Sequence, residues 1–181
     1  VKRWSRRLPT ASRDVVTVLA ANAEGVVAAG VTGGKLRVKV SSLAEALESG
    51  EGDDAFVIGF DTQGNPQWLQ QFGTEADERV HAIALSDNAT LAIGGSTQGA
   101  FPDQQTAGQG GAFVSLFQRD GTFLWTRQFG SSGADEVRAL AFLPNGNLIA
   151  TGGTSGSLDG HTHQGGLDVF VVKFDTEGKR L

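Results

Sequence analysis

Short apolar runs separated by turn residues follow one another along most of the chain. Each run is seven or eight residues long and rich in Val, Ile, Leu, Phe or Trp, as β-strands are. Several runs are apolar at consecutive positions, which is typical of strands covered on both faces. Gly, Asn, Asp and Pro end the runs, so the pattern predicts an all-β chain. The predicted strands are residues 14–21, 26–32, 54–61, 65–72, 79–85, 90–97, 111–118, 122–129, 136–143, 148–154 and 168–175.

The runs recur with a period of 57 residues. Residues 125–181 align with residues 68–124 without a gap, and 18 of the 57 positions are identical. A fixed period with matched apolar and glycine positions indicates a repeat architecture. Four short antiparallel strands per repeat make one blade of a β-propeller. The pattern therefore predicts a single domain of three blades, which is part of a six- or seven-bladed propeller or is completed by another chain. The predicted blades are residues 13–72, 79–129 and 136–181.

The two ends of the sequence carry complementary defects. Residues 1–8 align with the fourth strand of the repeat, so we expect them to be an outer strand that completes a neighbouring blade. The third blade, by contrast, stops where its fourth strand begins. Two alternatives would complete the ring: two copies joined head to tail twice, or further blades of a longer polypeptide.

Large aromatic residues and glycines occupy the same places in each repeat. Recurrence once per blade at one register predicts that the aromatic rings pack between blades, rather than forming a platform for a bound ligand. The glycines are expected to let neighbouring blades approach closely. These residues are Trp4, Trp68, Trp125, Phe72, Phe129, Phe113, Phe170, Gly95 and Gly152.

The first repeat carries eight more residues than the others between Thr32 and Asp54. We expect residues 33–53 to form an inserted loop outside the repeat core, with a short helix at residues 42–49 indicated by a capping-box pattern. Function and tolerated loop growth are both open interpretations of this insertion.

The order of motifs from the tryptophan onward resembles a known repeat family. The motifs are W-x-x-Q-F-G, N-G-N, G-G-T-x-G and D-x-F-V-x-K-F-D-x-x-G, and they cover residues 68–181, with a looser match over residues 1–67. Together they are similar to the bacterial SBBP repeat, which is named for the seven-bladed β-propeller. The resemblance implies an exported protein, in the periplasm, at the cell surface or secreted. It implies no catalytic residues.

Composition narrows the range of functions. The 15 basic and 20 acidic residues give a net charge of −5, which disfavours nucleic acid as a partner. The chain has no cysteine, so it forms no disulfide and no thiolate site. No apolar stretch approaches the length of a membrane span.

One loop holds residue types that bind metal ions. Asp159, His161 and His163 alternate on an extended segment, and Asp168 is a candidate third ligand. The second repeat has Pro102, Gln104 and Thr106 at the corresponding positions, so the repeat itself does not carry this set. We predict that these residues are ordinary loop side chains and that the protein has no metal or other cofactor.

No nucleophile with an oriented base is visible in the sequence. We therefore expect a non-catalytic structural or protein-interaction module, whose partner is another protein or a second copy of the chain. The alternative is a propeller that binds a carbohydrate or another small ligand, and an enzyme is the least favoured interpretation.

Overall fold

The structure is a computed structural model that describes residues 4–8, 10–37, 51–104, 108 and 110–181. Eleven β-strands form in these ranges, and each begins and ends within one residue of a predicted run. No helix occurs in the described part of the chain, so the all-β prediction is confirmed for these residues. The strands are β1 (Asp14–Asn22), β2 (Gly25–Thr32), β3 (Asp54–Asp61), β4 (Pro66–Phe72), β5 (Glu78–Leu85), β6 (Thr90–Thr97), β7 (Gly111–Gln118), β8 (Phe123–Phe129), β9 (Asp135–Phe142), β10 (Leu148–Thr154) and β11 (Asp168–Phe174).

The strands form three antiparallel sheets in chain order. Sheet one contains β1 to β4, sheet two contains β5 to β8, and sheet three contains β9 to β11. After β11 the chain turns back, and Arg180 forms an isolated bridge with Phe174. In sheet two the equivalent pair is Phe123 and Phe117, where β8 begins. Residues 179–181 therefore start a fourth strand of sheet three.

Consecutive sheets pack face to face and share two buried apolar clusters. The first cluster joins Val57 and Trp68 of sheet one to Ile93 and Phe113 of sheet two. The second joins sheet two to sheet three through residues that include Val114, Trp125, Leu148, Phe170 and Phe174. The middle strands of sheet two are covered on both faces, which explains why β7 is apolar at nearly every position.

A β-bulge near the start of the first strand recurs in all three sheets. The register shifts at Thr17 in β1, at His81 in β5 and at Arg138 in β9. Opposite the bulges of β5 and β9 lie Gly95 and Gly152, where a Cβ atom would collide with the carbonyl oxygens of residues 79 and 136. The requirement for glycine therefore arises inside each sheet, and not, as expected, from the approach of neighbouring sheets.

The inserted region begins later than the sequence pattern suggested. Leu36 is buried against Phe56 and Ile58 of sheet one. Its backbone N–H donates to Gln71 Oε1 over 2.9 Å, as that of Phe101 donates to Gln128 Oε1 over 3.0 Å in the next repeat. Residues 33–36 thus belong to the repeat core, and the expectation that the whole of 33–53 lies outside it is wrong. The predicted helix at residues 42–49 lies outside the described residues.

Candidate functional site

The recurring tryptophans join each sheet to a turn of the following sheet. Gly121 and Gly178 are the last residues of tight turns that begin at Gln118 and Asp175, and they have positive φ angles of 89° and 79°. The ring of Trp68 lies against the open side of Gly121, and that of Trp125 lies against Gly178. Glycine both adopts this backbone conformation and leaves room for the ring. The Trp–Gly contact is therefore part of the joint between sheets.

Aromatic pairs form the second part of each joint. The ring centroid of Phe72, at the end of β4, lies 6.4 Å from that of Phe113 of sheet two, and the two rings are nearly perpendicular. Phe129, at the same place in β8, lies 5.4 Å from Phe170 of sheet three in the same arrangement. Edge-to-face geometry of this kind stabilises aromatic pairs beyond their burial. These four rings therefore contact one another across the two joints.

A carboxylate at the start of each first strand forms the third part of the joint. In sheet two, Glu78 is fully buried, and it accepts hydrogen bonds from the Thr74 N–H at 2.8 Å and from the Thr97 hydroxyl at 2.6 Å. In sheet three, Asp135 accepts from the Ser131 N–H at 2.6 Å. We call each of these sets an acid–hydroxyl clasp. The three clasps are Thr10–Asp14–Thr32, Thr74–Glu78–Thr97 and Ser131–Asp135–Thr154.

The clasp explains the glycine that follows each phenylalanine. A Cβ atom on Gly73 would collide with a carboxylate oxygen of Glu78, and one on Gly130 would collide with Asp135. Burial raises the pKa of Glu78 above its ordinary value of 4.5, and the neighbouring charge of Asp54 acts in the same direction. The hydrogen bonds from Thr97 and Thr74 oppose this effect. The carboxyl group therefore sits in a nearly water-free position that its hydroxyl partners make tolerable.

Residues 4–8 make the same contacts on sheet one, although the described residues form no sheet before it. The Trp4 ring lies against Gly64, which has a φ of 76°, and its centroid lies 6.0 Å from that of Phe60. Trp125 and Phe174 are also 6.0 Å apart. Leu8, four residues after Trp4 as Phe72 is after Trp68, packs against the cluster of Phe56 and Ile58. Residues 4–8 thus occupy the place that a fourth strand of a preceding sheet would take.

This segment departs from the prediction in two respects. Residues 4–8 form no strand, because no sheet of the described chain has an edge beside them. Trp4 is 39% exposed, whereas Trp68 and Trp125 are 4% and 7% exposed. The expectation that all three tryptophans pack between sheets is therefore wrong for Trp4, since the described residues form no sheet on its other side.

The two outer faces of the three-sheet stack are apolar. We call the outer face of sheet three, with Leu167, Val169 and Val171, the trailing face, and the outer face of sheet one, with Val16 and Leu19, the leading face. These five side chains are 52% to 81% exposed. The stack is therefore open at both ends.

A charged cluster lies beside the bulges where sheets two and three meet. Glu136 Oε1 accepts a hydrogen bond of 2.6 Å from Arg138 Nε, and Glu136 Oε2 lies 3.5 Å from His81 Nε2. Burial, and next the charge of Arg138, lower the pKa of His81 below 6.5. The imidazole is therefore mostly neutral at pH 7, and the cluster brings His81 of sheet two beside Glu136 of sheet three.

The structure separates most of the weak candidates for metal ligands. His163 Nδ1 lies 3.0 Å from Asp168 Oδ2, so this pair is brought together. Asp159 instead forms an ion pair with Arg180, and the N–H of His161 donates to the Leu158 carbonyl over 2.9 Å. Within the described ranges, no three His, Asp or Glu side chains converge as a metal site would require.

Sequence reasoning missed the acid–hydroxyl clasps. The signal was present as Thr10-x-x-x-Asp14, Thr74-x-x-x-Glu78 and Ser131-x-x-x-Asp135. Between the second and third repeats the hydroxyl residue changes from Thr74 to Ser131 and the acid from Glu78 to Asp135, so neither position counts as identical in the 57-residue alignment. Comparing hydrogen-bonding capacity rather than identity would have found them.

Together these features define an all-β chain of three packed antiparallel sheets, whose recurring residues join one sheet to the next. No protein-family model matches the sequence. In an alignment over 140 residues that covers 71% of the chain, it is 25% identical to a protein named Regulatory protein FlaEY from Caulobacter vibrioides. The matched region spans only 15% of the length of that protein. The described residues include no helix long and apolar enough for a membrane crossing.

Proposed function

We propose that the chain is a non-catalytic structural and protein-interaction module, made of three consecutive blades of a β-propeller in an exported or cell-surface bacterial assembly. The observation that carries this proposal is the exposed trailing face. Val169 and Val171 are 81% and 69% exposed, whereas Ala112 and Val114, at the same positions of sheet two, are fully buried by the next sheet. An apolar surface that recurs as an interface elsewhere in the molecule is a site for another protein.

The polar residues of the repeats support a structural role. The carboxylates that recur in the clasps accept hydrogen bonds from neighbouring hydroxyl and N–H groups, and Glu78 and Asp135 are buried. Gln70, also buried, donates to the carbonyl of Gly121 across the first joint over 3.0 Å. These groups hold sheets together and are not exposed to a substrate.

A groove at the outer edge of sheet two favours a second candidate function, the binding of a carbohydrate or another small ligand. The groove has a volume of about 720 Å³ and is lined by residues that include Phe101, Phe123, Trp125 and Arg127. Phe123 is 36% exposed, and aromatic side chains of this kind stack on apolar faces of ligands.

A glycan array combined with a thermal-shift screen separates the two candidates. The structural proposal expects no sugar to bind on the array or to raise the melting temperature. A sugar that raises the melting temperature of the native protein, but not that of Phe123→Ala, would instead establish ligand binding in the groove. Leu143→Asp is a suitable control because Leu143 is similarly exposed, at 37%, and does not line the groove.

A further inference from the structure

The trailing face has the composition of a surface that another sheet covers. Leu167, Val169 and Val171 are 64%, 81% and 69% exposed. At the positions of the two valines, sheet one has Ala55 and Val57, and sheet two has Ala112 and Val114. All four of these residues are fully buried against the sheet that follows.

The leading face is the counterpart of this surface. Val16 is 52% exposed, whereas Val80 and Val137, at the same place beside the bulge in β5 and β9, are fully buried against the preceding sheet. Leu19 is 67% exposed, while its equivalent Ile83 packs against the first buried cluster. Each end of the stack therefore exposes one half of the joint that the molecule forms twice internally.

We propose that, in the 181-residue chain, the trailing face binds the leading face of a second copy, and that residues 4–8 of that copy pair with β11 as a fourth strand of sheet three. This inference rests on the proposed function, because it takes the three sheets to be blades of one kind of array. It names the partner as the chain itself. The joint between copies then repeats the joints inside each copy.

The register of the new strand follows from sheet two. There, β7 pairs with β8 so that Trp125 lies opposite Leu116 and Phe129 lies opposite Ala112. The same register places Trp4 of the second copy opposite Lys173 and its Leu8 opposite Val169. Arg180 is already paired with Phe174, as Phe123 is with Phe117, so the incoming strand continues the line that residues 179–181 begin.

The segment that would be donated is already held in the required position. Trp4 rests on Gly64 and Leu8 on the Phe56 cluster, which are the contacts that a fourth strand makes with the following sheet in the internal joints. Few additional residues therefore become ordered on association, and the loss of conformational entropy is small. It covers Trp4, Val16 and Leu19 on one copy and three apolar side chains on the other.

Two copies give a closed assembly. Each copy has one trailing and one leading face, so two joints related by two-fold symmetry use all four faces. The ring then contains six sheets, which is within the range of four to eight blades typical of propellers. Closure also removes the free edge of β11, which would otherwise invite non-specific pairing.

Sedimentation equilibrium of the 181-residue protein and its variants tests the proposal. Val171→Asp places a charge on the trailing face, and Val16→Asp places one on the leading face. Both side chains are exposed in the single chain, so the variants should fold, which far-UV circular dichroism verifies. We expect the native protein to be a dimer and each variant to dissociate with a Kd raised roughly tenfold or more. Leu143→Asp, on an exposed turn, should leave the Kd unchanged.

A mixing experiment distinguishes head-to-tail joints from pairing of identical faces. Val171→Asp retains a native leading face, and Val16→Asp retains a native trailing face. An equimolar mixture should therefore form a heterodimer through one native joint, at concentrations where each variant alone is monomeric. If the dimer were formed by two trailing faces, Val16→Asp alone would still dimerise, and the proposal would be overturned.

A folded native protein that stays monomeric at all concentrations would also overturn the inference. That result would leave the proposed function standing, because the trailing face would then serve a different protein. Failure of the proposed function has another signature, which is a sugar or small molecule that binds in the groove lined by Phe123.

Discussion

Replacing Trp125 with alanine measures how much one joint contributes to the stability of the stack. The indole is 7% exposed, its Nε1 donates to the Thr176 carbonyl over 3.0 Å, and its ring lies 6.0 Å from that of Phe174. Truncating a buried tryptophan costs about 3–5 kcal/mol. Of this, the hydrogen bond accounts for about 1 kcal/mol and the aromatic pair for about 0.5–1.5 kcal/mol. We expect the free energy of unfolding to fall by about 3–5 kcal/mol.

The same substitution at Trp4 is a matched control. Trp4 makes the equivalent contact with Phe60 at 6.0 Å but is 39% exposed, so we expect a smaller loss of roughly 1–2 kcal/mol. Urea denaturation followed by far-UV circular dichroism gives both values, and a Val171→Asp background removes any contribution from association. A change near zero for Trp125→Ala, or equal losses at the two positions, would refute the account of the joint.

Three further predictions follow from residues inside the repeats. Because the pKa of Glu78 is raised in the folded state, folding takes up a proton between pH 4.5 and that raised pKa, so this group makes the protein less stable as pH rises through that window. Urea titrations at several pH values should show a weaker dependence of this sign in Glu78→Gln, and an unchanged dependence would contradict the assignment. Gly95→Ala should cost about 1–3 kcal/mol in the same assay, because its Cβ would collide with the carbonyl of Arg79; an unaltered urea midpoint would count against the bulge. Deleting eight residues within 38–50, which gives the first repeat a connection as long as the others, should preserve the β-sheet spectrum, whereas deleting Leu36 should not.

The positions of the strands were predictable because two local signals agree. Apolar runs and turn residues are both local features of the sequence. The repeat shows most runs again 57 residues away, so each strand is indicated more than once. Whether a given side chain is buried was less predictable. Trp4 aligns with Trp68 and Trp125, yet it is exposed because burial depends on a sheet that the described chain does not contain.

The details of the joints were only partly predictable. The aromatic residues were identified because a core requires similar size at each repeat. The clasps were not identified, because different residue types make the same hydrogen bond in the two repeats. The hydroxyl comes from Thr74 or Ser131, and the carboxylate comes from Glu78 or Asp135. Leu36 was assigned to the insertion because the length difference between Thr32 and Asp54 does not show where the extra residues begin. Its contact with Phe56 and its hydrogen bond to Gln71 show that it corresponds to Phe101.

Sheet three has three strands in the described residues, whereas sheets one and two have four, and this difference gives unfolding of the 181-residue chain a direction. In a linear array, each unit is stabilised by its own contacts and by its neighbours, so a unit with one neighbour and an open edge frays first. Sheet two has a sheet packed on each side, and residues 4–8 cover part of sheet one. In the described residues, β11 has no further sheet on its outer face and no segment that covers it. Backbone amides of β11 should therefore exchange with deuterium fastest among the strands, and those of β6 and β7 slowest. During synthesis the ribosome releases the N-terminal residues first, so sheet one would form first and sheet three last. Each completed sheet would then provide the surface against which the next sheet packs.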